Sequence, residues 1–375
     1  MDLLQIRDQL DEIDKEMVRL FEERMKLVGE VAEFKFKTGK QVFDKEREQA
    51  KIASVRNLAH ETFNQQAVEE LFTQLMTISR RYQYQLLKQH GQKMELDFKQ
   101  VAELPMKHVK VVYQGVEGAY SHGATLAYFG RDVNCSHVKT WEEAMKAVES
   151  GETDYAVIPI ENSSAGAVSD NYDLLIRHNN VIVAEICIPV NHELLGLPGA
   201  TIEDIKVVYS HPQALLQSSE YLNAHSQWRQ ISVENTAVAA KKILEDQDKS
   251  QVAVASQVAG KLYGLESLAT EINHNKNNTT RFIILSKEHI YCKDAKKVSL
   301  CFELPHKSGS LYNMLGNFIY NGVNMVMIES RPILGRNWEY RFFVDIEGNL
   351  SEPPIQNALK AIAEEAANMR ILGNY

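Results

Sequence analysis

No proline precedes Pro105, and up to residue 90 the only glycines are Gly29 and Gly39. A stretch that lacks both breakers and keeps a helical rhythm has little choice but to form helices. Apolar residues recur at Leu3, Ile6, Leu10, Ile13, Met17, Leu20, Leu27, Val28 and Val31, the spacing of one buried helical face. Gly39 marks the end of this helix, with Lys35, Lys37 and Lys40 where the dipole favours cations. Asp44 predicts the N-cap of a second helix that runs to about His60. A third is expected from about Asn64 to Gln89. The first helix would be about 50 Å long at 1.5 Å per residue. Two shorter helices cannot cover all of its stripe, whereas a dimer that interleaves two long helices would.

The stripe carries cations. Arg24 and Lys35 sit where apolar residues are expected, and the eleven residues between them return to within about 20° of the same direction. Arg7 lies about a quarter turn off that line and about 25 Å from Arg24 along the axis. Cations facing a packed interior need an anion. They read either as a salt-bridged, snorkelling bundle face or as a ligand site. Ser79 and Gln83 are four residues apart and share a helical face. Asp44, Arg47 and Glu48 share the first turns of the second helix. Such a set suits a small dicarboxylate and charge stabilisation without covalent chemistry.

The formal net charge of −9 argues against nucleic acid or an anionic membrane as a partner. Cations for an anionic substrate must therefore be gathered locally. The four cysteines, Cys135, Cys187, Cys292 and Cys301, show no metal-ligand spacing and fit a reducing compartment. A charged start from Asp2 predicts no signal peptide, and no apolar run is long enough to span a bilayer. The expectation is a cytoplasmic protein without a metal site.

Residues 1–91 are expected to form the helical domain and the polar segment 92–107 a linker. From 108 to 287 short apolar runs alternate with helical segments, the α/β pattern of a mostly parallel sheet in one domain or two lobes around a cleft. Residues 297–375 read as βαββαβ, the ferredoxin-like split unit. Four motifs stand out in the α/β region. Gly115-Val-Glu-Gly-Ala-Tyr-Ser121 follows a strand, and Glu161-Asn-Ser-Ser-Ala-Gly-Ala-Val168 runs off another. Ser210-His-Pro-Gln213 is followed by Gln217, and Asn277-Asn-Thr-Thr-Arg-Phe282 reads as a polar loop just before a strand.

On these residues three resemblances emerge. LLQIRDQLDEID, EERMKLVGEVAEFK, DKERE and ISRRYQ resemble the all-helical chorismate mutase family. Position by position, Arg7, Arg24, Lys35, Asp44, Arg47, Glu48, Ser79 and Gln83 hold the residue types of that family's active site. The resemblance implies interlocked subunits, with Arg7 supplied to the partner's site. The four α/β motifs resemble prephenate dehydratase, which implies two α/β lobes like a solute-binding protein and substrate in the cleft. It implies Thr280 as general acid, with Glu161, Asn162, Ser163, Ser210, Gln217, Glu234, Arg281 and Phe282 as substrate contacts. Glu329-Ser330-Arg331-Pro332, Asn324, and Gly309 with Leu311 resemble the phenylalanine-binding ACT domain, although Ser310 and Tyr312 replace the more usual alanine and valine.

Together the resemblances imply a cofactor-free enzyme taking chorismate through prephenate to phenylpyruvate. Feedback by L-phenylalanine and a homodimer or higher homo-oligomer are implied with it. The competing expectations are an α/β region that has drifted to another acid elimination, and an active mutase fused to a non-catalytic small-acid sensor.

Overall fold

The structure, a computed structural model, describes residues 2–89, 96–307 and 309–375. In chain order the elements begin with α1 (Leu3–Thr38), α2 (Lys45–Arg56) and α3 (Thr62–Gln89). There follow β1 (Lys99–Val101), β2 (Lys110–Gln114), α4 (Tyr120–Phe129), β3 (Asn134–Val138), α5 (Trp141–Ser150), β4 (Tyr155–Asn162), β5 (Gly166–Ala167), α6 (Ser169–Arg177) and β6 (Val181–Pro189). Next come β7 (Glu193–Gly196), β8 (Val207–Ser210), α7 (Pro212–Gln217), α8 (Ser219–Asn223), β9 (Arg229–Ser232), α9 (Thr236–Asp246), β10 (Gln251–Ala255), α10 (Gln257–Tyr263) and β11 (Glu266–Ala269). The last are β12 (Thr279–Ser286), β13 (Ile290–Cys292), β14 (Lys297–Glu303), α11 (Ser310–Ile319), β15 (Met325–Pro332), β16 (Tyr340–Glu347), α12 (Pro353–Glu365) and β17 (Ala367–Asn374). Two compact units result: Met1–Leu96 with Glu303–Met325 and Leu350–Met369, and Asp97–Phe302 with Val326–Asn349 and Arg370–Tyr375.

In the first unit α1 is opened by a capping box of Asp2 and Gln5 and closed by Gly39 in the left-handed region, which glycine enters without steric cost. The C-terminal half of α1 packs on α3, burying Ala32. Among the described residues the N-terminal half has no such cover, and Leu10 and Ile13 remain 52% and 56% exposed. Asp44 caps α2 as expected. That helix stops at Arg56, short of His60, because Leu58 and Ala59 donate to Val55 and Arg56 in tighter turns. Ala361 of α12 joins Val42, Tyr84 and Phe36 in a small apolar cluster.

Among its described residues the second unit holds two large sheets besides the small β1–β13 pair. The smaller runs β11-β7-β10-β8-β9, and the larger runs β15-β16-β14-β17-β6-β12-β4-β2-β3, with β5 beside β4. Both are mixed rather than mostly parallel. β2 is parallel to β3 and β4, whereas β12 is antiparallel to β4 and β6. The chain leaves the large sheet after β6 and returns at β12, so the return strand runs against its neighbours. Apolar clusters cover both faces of the large sheet, one around Ile158, Leu175 and Ile283 and one around Val111, Val157 and Ile284. The expected linker is partly ordered, since β1 pairs in parallel with β13; its residues 92–95 lie outside the described residues. The 277–282 segment, expected to be a loop, enters β12 at Thr279, so Thr280 and Arg281 point to opposite faces.

Candidate active sites

The three N-terminal helices bring six of the eight expected residues of the first site into one region. The Arg24 guanidinium donates to Ser79 Oγ (2.5 Å) and reaches Met76 Sδ (3.5 Å). Lys35 Nζ donates to the Val42 carbonyl (2.5 Å). Asp44 is spent on capping, accepting from the Arg47 backbone N–H (3.1 Å). Gln83 is buried, donates from Nε2 to the Ser79 carbonyl (3.3 Å), and leaves Oε1 buried without a partner among the described residues. Glu48 pairs with Arg80. Burial holds the Arg24 guanidinium and the Lys35 ammonium below their ordinary ranges, with Glu48 opposing the shift at both. Burial likewise pushes the Glu48 carboxyl up against the pull of Arg80. The region is therefore a pair of half-desolvated cations whose hydrogen bonds to Ser79, Met76 and Val42 go to neutral acceptors, a setting that an added carboxylate would stabilise. Arg47 is exposed at its rim. Arg7 is exposed on the uncovered half of α1, and at about 1.5 Å per residue it stands about 25 Å from Arg24.

Arg80 was not singled out in the sequence. Its signal was the spacing of Thr77, Arg80 and Tyr84, one helical face beside the expected Ser79.

In the second unit a cavity of about 450 Å³ lies between the two sheets. Its wall includes Asn162, Gln217, Glu234, Thr280 and Phe282 from the expected set. Asn162 accepts at Oδ1 from the Ser164 and Ala165 N–H groups (3.0 and 2.9 Å), which fixes its amide; Nδ2 then donates to Thr280 Oγ1 (2.9 Å). With its oxygen engaged as an acceptor, Thr280 keeps its own proton to donate. Sequence reasoning passed over His192 and Tyr120. His192 Nε2 lies 3.0 Å from Gln217 Oε1, and Nδ1 lies 3.1 Å from the Tyr120 hydroxyl, which donates to the Asn191 carbonyl. Burial keeps this histidine neutral by lowering its pKa.

Among the described residues, no lysine or arginine lines the cavity wall. Instead the N-termini of α4 (Ala119, Tyr120, Ser121), α7 (His211, Gln213, Ala214) and α9 (Asn235, Thr236) open onto it. Unpaired backbone N–H groups and helix dipoles favour anions at such ends.

Four expected contacts are placed elsewhere. Ser210 is buried and donates to the Val254 carbonyl (2.6 Å). Ser163 braces the β12 entry, accepting from the Thr279 N–H (2.9 Å) and donating to Asn278 (3.4 Å). Glu161 and Arg281, opposite each other in the β4–β12 register, sit on the face away from the cavity wall. Arg281 pairs there with Glu185 (2.6 Å), Asp345 (2.6 Å) and, less closely, Glu161 (3.6 Å), and donates to the Tyr375 hydroxyl (2.8 Å). Burial opposes its charge, but these partners more than offset that and hold it protonated. Arg281 is thus placed as a bridge across the back of the sheet, away from the described cavity wall.

Of the expected C-terminal set, Gly309 adopts φ +79° as the N-cap of α11. Leu311 lies in the first turn of that helix, and Asn324 just precedes β15. Glu329 to Pro332 close β15, where Arg331 pairs with Asp173 (2.6 Å).

A helical site with desolvated cations and an α/β cleft with a poised hydroxyl, on one chain, define a two-site enzyme for small organic acids. The family model Chorismate mutase type II matches residues 6–84, and Prephenate dehydratase matches residues 111–290. The bifunctional chorismate mutase/prephenate dehydratase of Enterobacter agglomerans is 32% identical over 100% of this chain and 95% of its own length. A prephenate dehydratase of Arthrobacter aurescens, solved in complex with L-Phe, superposes with a TM-score of 0.66 at 29% identity, covering 71% of this chain and 89% of that one. GqqA, described as a novel type of quorum quenching acylase, has the same TM-score at 32% identity over 71% of this chain and 97% of that one. The chain belongs to the bifunctional chorismate mutase/prephenate dehydratase family. It is an isomerase and a lyase of aromatic amino acid biosynthesis, carrying chorismate to prephenate and prephenate to phenylpyruvate.

The place of Arg281 yields a prediction. Arg281→Met leaves the buried Asp345 carboxylate without its cation and should cost about 3 kcal/mol of unfolding free energy, read by urea denaturation, while KM for prephenate changes less than twofold. A tenfold rise in KM at unchanged stability would put the guanidinium in the cleft.

Proposed function

We propose that the mutase step runs on Arg24, Lys35, Asp44, Arg47, Glu48, Ser79 and Gln83, with Arg7 contributed by a second copy of the chain. Chorismate rearranges within one molecule, breaking a C–O bond as a C–C bond forms, so the site needs only to hold the reactive conformer and stabilise charge. Arg24, Arg47 and the second copy's Arg7 clamp the two carboxylates. Lys35 has donors to spare beyond the Val42 carbonyl, and Gln83 has a second N–H; both serve the ether oxygen as negative charge builds on it. Glu48 accepts from the ring hydroxyl. The uncovered α1 half supports the second copy, because covering a half-exposed Leu or Ile is worth about 1 kcal/mol each and several are in line.

For the dehydratase step, the observation that carries the reading is the Asn162–Thr280 hydrogen bond. The ring carboxylate leaves as carbon dioxide, its bonding electrons enter the ring, and the ring hydroxyl departs as water with the proton of Thr280. Aromatisation supplies the driving force, so a weak but oriented acid suffices. The helix N-termini receive the carboxylates, and Gln217 and Glu234 orient the hydroxyl. Phe282 closes the apolar floor. A sensor without catalysis would need no oriented proton donor, which favours the enzyme over the binding module.

We further propose that residues 297–375 form an ACT domain of ferredoxin-like topology that binds phenylalanine through Gly309, Leu311, Asn324 and the Glu329-Ser330-Arg331-Pro332 segment. The βαββαβ element order, the strand order β15-β16-β14-β17 and the left-handed Gly309 support it, as does the L-Phe in the Arthrobacter structure. Four free cysteines support a reducing, cytoplasmic setting.

Chorismate given to the purified chain should yield prephenate and then phenylpyruvate, followed by absorbance and chromatography. Prephenate that accumulates without phenylpyruvate contradicts the dehydratase assignment. In a separate measurement, Ile13→Glu should shift the sedimentation coefficient toward the monomer and cut mutase kcat/KM at least tenfold. An unchanged oligomer with full mutase activity counts against a shared site.

A further inference from the structure

One charged group beside the mutase site has no role in the scheme above. Arg80 on α3 is nearly buried, and its two terminal nitrogens serve two different carboxylates, Glu48 on α2 and Glu365 at the end of α12 (2.6 Å to the latter). It also donates to Thr77 Oγ1 (3.2 Å) and lies over the Phe43 ring at 4.9 Å. Its planar fork is therefore fixed on every side, with one terminal nitrogen on each of two anions. The helix that supplies Glu365 is firmly seated. Tyr84 hydrogen-bonds Glu364, Lys360 lies 5.5 Å from the Tyr84 ring centroid, and Ala361 packs on Val42 and Tyr84.

We propose that Arg80 is a positioning residue of the mutase site, orienting Glu48, and that Glu365 of the C-terminal helix sets how tightly it does so. The proposal rests on the reading that Glu48 contacts the substrate. Glu48 is faced by Arg24 and Lys35 from α1, by Arg80 from α3 and by Glu365 from α12. One guanidinium shared by two carboxylates leaves each half-neutralised. Burial raises the pKa of both acids, and Glu365 adds its repulsion to Glu48. Anything that draws α12 away frees the arginine for Glu48 alone; anything that presses it closer competes for the same donors. The first reaction is thereby coupled to a helix more than 280 residues further along the chain.

The test uses the full chain, with the dehydratase rate on prephenate in each sample as the control for folding. Glu365→Gln removes the competing charge without removing the side chain. The acid limb of the mutase kcat/KM profile should move to lower pH by roughly half a unit or more, with the dehydratase rate within twofold of the parent. Arg80→Met should lower mutase kcat at least tenfold with a smaller change in KM, and Arg80→Lys should recover only part of the loss. An acid limb that superimposes on the parent in Glu365→Gln, or parental mutase kinetics in Arg80→Met, overturns the proposal. Glu48→Gln separates the two levels. Full mutase activity in that variant removes the underlying site reading, and the proposal with it. Lost activity there with an unmoved Glu365→Gln profile overturns the coupling alone.

Discussion

The period-two alternation of β12 is the constraint on which the dehydratase half of the molecule depends. Thr280 and Phe282 face the cavity because Arg281, between them, faces the other way. The charges behind the strand lock that arrangement. Arg281 ties β12 to Glu185 on β6, Asp345 on β16 and the Tyr375 hydroxyl at the chain end. A slip of one residue would put a guanidinium in the cleft and a threonine beside the buried Asp345 carboxylate. The ion network therefore fixes the hydroxyl that its own residues never touch, and Asn162, pinned by two backbone N–H groups, completes the aim.

On the assignments proposed above, the two sites handle anions by different physics. The helical site gathers side-chain cations and keeps them partly desolvated, a poor state for a charge until a carboxylate arrives. The α/β cavity has no lysine or arginine in its wall among the described residues and offers helix N-termini instead. A rearrangement that separates charge without losing an atom is served by strong fixed cations. A fragmentation that must release carbon dioxide is better served by weaker, dipolar contacts that let the carboxylate go neutral.

Much of this was legible in the chain. The breaker-free first 90 residues dictate helices, and the stripe of α1 is too long for one subunit to cover. The structure bears this out in the exposed Leu10 and Ile13. What stayed hidden were relations across long separations. Asn162 and Thr280 meet only because β12 returns antiparallel to β4, a mixed pairing that alternating strand and helix signals do not announce. Arg281 was expected at the substrate through the family resemblance, which carries residue type but not direction; on β12 it faces away from the described cavity wall. Arg80 was passed over because its partner, Glu365, lies on a helix assigned to a different task.

The most direct test is product analysis on Thr280→Val, which keeps the shape and removes the proton. Supplied with chorismate, this variant should convert it to prephenate at the parental rate and stop there, with phenylpyruvate formation reduced at least 100-fold. Phenylpyruvate at the parental rate would show that the hydroxyl held by Asn162 is not the acid.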